Sequence, residues 1–306
     1  MSGARASTRA GEVSEAGPSL RQRLAARGVD GMTLLVLPAL LALLALFVYP
    51  FLYGLAVSFA PKVGPFYANY RKFFGDPFLR STIWHTLALA FPTTLLSILV
   101  ALPIAFRVRL MRRQRMLTTV LLLPMTLGTV LVAQGLLTYL GPNGWFNRLL
   151  LTLHVVRSPL ELTNNYWGVF ASLVLTGFPF TFLLTLSYVS GIDPALEEAA
   201  ATLGGRAWDR FARIFLPLLA PGLAVTFCLS FVQAFSVFPS AVLLGAPAGS
   251  THVIAIAAYQ AAFEQYNYSL GSAIAMIMGA VQLIIVVAVL ASRQLFYRGP
   301  VAGTKG

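Results

Sequence analysis

The chain has 306 residues, 58% of them hydrophobic and only 10% charged, with a mean hydropathy of +0.77. That balance excludes an ordinary water-soluble domain and points to membrane-spanning segments. The net charge of +12 raises nucleic acid as a partner, but the basic residues fall in alternate segments along the chain and form no single patch.

Residues 1–31, MSGARASTRAGEVSEAGPSLRQRLAARGVDG, are small, polar and charged, and predict a disordered tail. A helix needs about 20 mostly apolar residues to cross the hydrocarbon core. Six stretches without an acid or base qualify: Met32–Phe59, Thr82–Phe106, Met116–Tyr139, Tyr166–Val189, Leu216–Leu244 and Leu270–Ser292. The first is too long for a signal peptide and lacks a convincing cleavage site, so an uncleaved helix is expected. The fold expected is an all-α membrane protein, with a six-helix domain over 32–297 and a short tail over 298–306.

The loops differ in character. The first, PKVGPFYANYRKFFGDPFLRS, mixes aromatic and basic residues suited to an interface. The third opens with the turn-forming Pro142-Asn143-Gly144 and holds an apolar run, Trp145–Val155, too short to span and therefore interfacial or re-entrant. The fifth is rich in Gly and Ala, with one acid, Glu264. The N-terminal tail carries five basic residues, the second loop five, the fourth three and the C-terminal tail three, together 16 of 22. By the positive-inside rule both tails and loops two and four are expected in the cytoplasm, with attraction to anionic lipid a secondary effect.

Catalytic chemistry is hard to place. Cys228 has no partner for an intrachain disulfide, and His85, His154 and His252 lack metal-ligand spacing. No nucleophile–base pair, carboxylate dyad or phosphate-cradling G-x-x-x-x-G-K-[ST] loop occurs. These absences argue against an intramembrane enzyme and against nucleotide binding by this chain.

Loop four is the exception to the oily pattern. EEAAATLGGRAWDRFARIFLP packs six charges and a Gly-Gly pair into one connection. Asp193 is a natural N-cap, with Pro194 in the first turn and Glu197 and Glu198 close behind. Leu196, Ala199, Ala200 and Leu203 form one apolar face. Gly204-Gly205 supplies a stop, since one of the two can take the left-handed conformation. A second face follows at Trp208, Phe211, Ala212 and Phe215, with Asp209 and Arg213 paired on the other side. Helices this short are marginal alone. They need a surface, either headgroups or a partner protein.

The same segment resembles the EAA loop of permease subunits in bacterial ABC importers: EAA, three residues, Gly, nine residues, Ile, any residue, Leu-Pro. Glu198-Ala199-Ala200, Gly204, Ile214 and Leu216-Pro217 occupy every fixed position. The resemblance implies a coupling helix between spans four and five that docks on an ATPase subunit. Ala199 and Ala200 would then keep the docking face shallow, with Leu203 on it, and Glu198 would offer a charge. Gly204 would turn the chain, and Leu216-Pro217 would set where span five begins. ATP and Mg would sit on two separate ATPase chains, with no cofactor here. A second permease (or another copy) and an extracytoplasmic solute-binding protein complete the implied assembly in the inner membrane.

The likeness covers roughly residues 30–295. GPNGWFNRLLL, SPLEL, GFPFTFLLTLSYVSGIDPALEEAAATLGG and LPLLAPGL are similar to the polyamine-type branch, while LLGAPAGSTHVIAIAAYQAAFEQYNYSLGSAIA also resembles the sugar branch. The rival reading is an ion-coupled transporter working without an ATPase. Proton coupling generally uses ionisable groups inside the bundle, and the spans contain no carboxylate. His85 reads more simply as a helix-end histidine, though sodium coupling through backbone carbonyls stays open. Gln134, Tyr188, Gln233, Ser236 and Gln282 are the candidates for lining a solute path. Each polar one could equally make an interhelical hydrogen bond.

Overall fold

The computed structural model describes residues 31–202, 204 and 206–296, so the predicted tails lie outside the described residues except at Gly31. The chain divides into two compact units at Tyr53. The first contributes most of α1 (Gly31–Ser58), which is apolar all round and carries Pro38 and Pro50 inside it. Such prolines are tolerated in membrane helices because the freed carbonyls find local partners.

In the second unit come α2 (Ala68–Gly75), α3 (Pro77–Val108), α4 (Gln114–Thr126), α5 (Gly128–Leu140), α6 (Trp145–Thr152) and α7 (Tyr166–Ser190). They are followed by α8 (Pro194–Thr202), α9 (Ala207–Arg210), α10 (Leu216–Phe235), α11 (Pro239–Leu244), α12 (Ile254–Tyr259) and α13 (Tyr268–Phe296). Five described helices are long and apolar enough to cross a membrane, and a bent pair brings the number to as many as six.

Two expectations change. Span three is not one straight helix: the chain turns by 87° between α4 and the segment starting at Gly128. Gly128 sits at φ +76°, a conformation that costs other residues about 1–2 kcal/mol. Span five does not run to Leu244. It stops at Phe235, and after Ser236–Phe238 a new short helix begins with Pro239 in its first turn. The fifth loop is packed into the bundle: Val253 and Ile254 are fully buried and Ile256 and Ala257 nearly so. Its Ala and Gly residues permit close packing: a Cβ on Gly271 of α13 would lie 2.7 Å from the Ala262 side chain.

Helix starts follow their caps. The Phe78 amide donates to Asp76 at 2.9 Å ahead of α3, and the Gly168 amide to Asn165 at 3.1 Å ahead of α7. Asn147 of α6 is fully buried and staples its loop. Its amide donates to the carbonyls of Gly141 and Leu160, both at 3.0 Å, and its Oδ1 accepts from the Leu160 amide at 2.8 Å.

The core lies where α3, α7 and α10 pack together, with α13 against α10. One cluster joins α2, α10, α12 and α13 through Phe73, Phe231, Phe235, Ile254 and Ile274. A second joins Leu89, Leu173, Ala241 and Leu244, and a third, nearest loop four, joins Ala105, Val108, Phe182, Phe215 and Leu219. In lipid such packing rests on close contact and interhelical hydrogen bonds more than on the hydrophobic effect. Two hydroxyl pairs supply such hydrogen bonds, Thr181 with Ser230 and Ser172 with Ser240, both at 2.8 Å.

Candidate functional site

Two regions carry chemistry, the connection from α7 to α10 and a cavity inside the bundle lined by many hydroxyl side chains. In the connection, the Ala195 amide donates to Asp193 at 2.9 Å, the expected N-cap of α8. Gly204 takes φ +77°, the left-handed conformation expected of a helix stop. Leu203 lies outside the described residues, as does the side chain of Ala199. Glu198 is exposed and Ala200 partly buried.

The second predicted face divides. Between α9 and α10, residues Phe211–Phe215 form one wide π-helical turn, in which the Leu216 amide reaches back to the Phe211 carbonyl. The extra residue per turn shifts the register. Phe211 and Phe215 both meet Phe106 of α3, with ring centroids 5.6 and 5.1 Å away, and Phe215 is buried. The Arg109 guanidinium lies 5.1 Å from the centroids of both Phe106 and Phe215. Trp208, expected on the same face, is 73% exposed instead. Asp209 and Arg213 do approach, at 3.8 Å, but both are too exposed to add much stability. Ile214 is partly buried, while Leu216 and Pro217 are exposed at the base of α10.

The cavity measures about 120 Å³ and is walled by α3, α7, α10 and the two helix breaks, through Thr129 after Gly128 and Ser236–Pro239 after α10. Irregular backbone at such depth is tolerated where it lines a cavity. Gln233 and Ser236 are brought together here as the sequence suggests. Gln282 joins them indirectly, its amide donating to Ser236 Oγ at 2.9 Å. Gln134 and Tyr188 are not among the lining residues; Tyr188 instead covers Gly222, where a Cβ would come within 2.5 Å of its ring.

Sequence reasoning missed the hydroxyl wall: Thr93, Thr94 and Ser97 from α3, Thr176 and Thr181 from α7, and Ser230 from α10. A signal was there. Thr82, Thr86, Thr93 and Ser97 recur on one face of α3, Ser172 with Thr176 and Thr181 with Thr185 form two i, i+4 pairs on α7, and all eight are buried. No lining residue is charged, and among the described residues no three His, Cys, Asp or Glu side chains cluster as a metal site would require.

Comparison with known proteins gives this arrangement a context. The family described as binding-protein-dependent transport system inner membrane component matches residues 93–297. The spermidine/putrescine transport system permease protein PotB of Haemophilus influenzae is 30% identical over 205 residues, covering 64% of this chain and 71% of that protein. A probable sulfate transport system permease protein of Prototheca wickerhamii is 29% identical over 175 residues, covering 57% of this chain and 66% of its own length, just under two thirds. Among solved structures, a bacterial alginate ABC transporter in complex with an alginate-bound periplasmic protein superposes with a TM-score of 0.75 at 22% identity, over 92% of this chain and 99% of that one. The methionine ABC transporter MetNI follows with a TM-score of 0.57 at 15% identity, over 72% and 96%. An ion-coupled transporter is not what these likenesses favour. The chain belongs to the binding-protein-dependent transport system inner membrane components, and is a permease subunit of an ABC importer.

Proposed function

We propose that this chain passes a solute through the hydroxyl-lined cavity, driven by ATP hydrolysed on two separate ATPase subunits that dock at α8 and α9. A second permease subunit, or another copy of this chain, and an extracytoplasmic solute-binding protein complete the assembly. Both tails and the α8–α9 connection face the cytoplasm, residues 32–297 form the membrane domain, and ATP and Mg belong to the partner chains. The observation that carries the reading is the connection itself. Its Glu198-Ala199-Ala200, Gly204, Ile214 and Leu216-Pro217 fit the coupling-loop pattern. Phe211 and Phe215 anchor it on α3 while Leu196 and Trp208 stay exposed.

Exposed Leu196 and Trp208 are apolar contacts suited to a groove on a partner, and Glu198 adds a charge at the rim. The solute is polyamine-like or a sugar: the Haemophilus relative is named for spermidine and putrescine, and the alginate importer shares the fold. The test is to tag the chain, extract it gently from its native membrane and identify the companions by mass spectrometry. Recovery of an ATPase with a phosphate-binding loop supports the proposal. Repeated recovery of this chain alone, under conditions that keep other membrane complexes intact, refutes it.

A further inference from the structure

The cavity has a hydrogen-bonding polarity that its residue types conceal. A hydroxyl both donates and accepts, so a wall of Ser and Thr looks indifferent to what it meets. The backbone removes that indifference. Thr93 donates to the Leu89 carbonyl at 2.7 Å, Thr94 to Ala90 at 2.8 Å, Thr176 to Ser172 at 2.8 Å and Ser236 to Val232 at 2.9 Å. Thr181 donates to the Gly177 carbonyl at 3.1 Å, so the proton in its 2.8 Å contact with Ser230 is the one on Ser230. These six hydroxyl protons are all directed into the wall. What they leave for an occupant is lone pairs. Ser97 stands apart, because it is only 2% exposed and its Oγ has no partner at all. A buried, unsatisfied hydroxyl in a cavity wall is itself a reason to expect a polar occupant.

We propose that the cavity is a filter for solute groups that donate hydrogen bonds, and that it rejects oxyanions through its oriented hydroxyls and not through charge. This rests on the reading that the solute passes through this cavity. A sulfate or carboxylate offers acceptors only, and against these six oriented hydroxyls it sets lone pair against lone pair, leaving only Ser97, Thr129, Ser240 and the Gln233 amide as lining groups whose protons are not already directed into the wall. No Lys or Arg lines the cavity to offset that repulsion. A primary ammonium, with three donors and no acceptor, or a sugar hydroxyl offering its proton, meets a ready set of acceptors. Gln233 is the lining side chain that can turn either its carbonyl or its amide inward. The polarity therefore separates this chain from the solute in the name of its Prototheca relative.

The experiment uses the full chain with whatever subunits co-purify, held in lipid nanodiscs. Cys228→Ala removes the native thiol and Thr129→Cys places one in the cavity wall, with Gln233→Cys as a second position. Three methanethiosulfonate probes are compared, each rate divided by its rate with a free thiol: aminoethyl (a primary ammonium), trimethylammonioethyl (a cation without a donor) and sulfonatoethyl (an oxyanion). The aminoethyl probe is expected to react about tenfold faster than the other two, the scale of one hydrogen bond to a charged donor. Thr94→Val, which keeps the shape but deletes the lone pairs, should remove that advantage, and Thr94→Ser should keep it. Protection by spermidine assigns the natural donor to ammonium groups, and protection by maltose assigns it to hydroxyls.

Equal rates for the two cations, a fastest sulfonate, or protection by sulfate alone would each overturn the filter. Failure of every probe at both thiols would do the same, by closing the cavity to solutes. Labelling needs no ATP, so an absent ATPase would sink the importer reading while leaving this result legible.

Discussion

Gly204 is the residue whose replacement separates conformation from contact. A Cβ there meets nothing within 4 Å, yet φ is +77°, so Gly204→Ala adds only backbone strain of about 1–2 kcal/mol. The bundle should keep its melting temperature while substrate-stimulated ATP hydrolysis by the assembled complex falls. Gly204→Asp should lower it further, by adding a charge at the turn. Unchanged hydrolysis in both variants would remove Gly204 from the coupling role. Asn147 makes the opposite kind of prediction. Asn147→Leu leaves the Gly141 carbonyl and both backbone groups of Leu160 without their partner. The expected loss is about 2–3 kcal/mol, read as a lower melting temperature of the purified chain. Both residues were unequally legible in the sequence. Gly204 announces itself because few residues other than glycine fit a helix stop, whereas Asn147 looks like any polar residue in a loop until its three bonds to Gly141 and Leu160 are seen.

At the scale of elements, lengths of apolar sequence gave the straight spans and failed at the bends. Tyr166–Val189 needed one residue more at its end, because Gly191 and its neighbours offered a clear stop. Span three misled because Gly128 interrupts a run whose composition never changes, and composition is all that a hydropathy window reads. Span five misled in the same way at Pro239, which can begin a helix as readily as end one. The buried α12 was hidden by its small residues, since Ala and Gly look like loop until a facing helix is known to be close. Hydroxyl pairs hold these elements in register. A cycle of Thr181→Val, Ser230→Ala and the double variant should give a coupling energy of about 0.6 kcal/mol in unfolding from mixed micelles. A coupling near zero would mean that the 2.8 Å contact is incidental.

For the whole molecule, the uneven distribution of basic residues is what the proposed orientation rests on. Arg112→Cys should react with an impermeant thiol reagent in inside-out vesicles and not in intact cells, and Lys62→Cys should do the reverse, both in a Cys228→Ala background. The reverse pattern would invert the topology and put α8 and α9 out of reach of any cytoplasmic ATPase. That the fold class was readable follows from physics specific to membranes, because lipid forces long apolar runs; the family was readable only through the resemblance of loop four to the EAA pattern, whose charges stand out against those runs. The cavity was less readable because its hydroxyls satisfy the backbone, and so pass for ordinary helix residues.

The wide turn at Phe211–Phe215 does not interrupt the rod that contains it. From Trp208 to Phe235 the chain is continuous helix, 28 residues in all, or about 42 Å at 1.5 Å per residue. One tip carries an exposed indole and the other ends beside Ser236, in the cavity wall. In the docked assembly proposed above, such a rod would work as a connecting shaft: stroke applied at the indole would be delivered at the serine, and the break that follows at Ser236–Phe238 is where it would become a change of direction. Spin labels at 208 and 235 should hold one separation with and without nucleotide in the assembled complex, while labels at 208 and 240 change theirs; a variable first distance would show a shaft that bends.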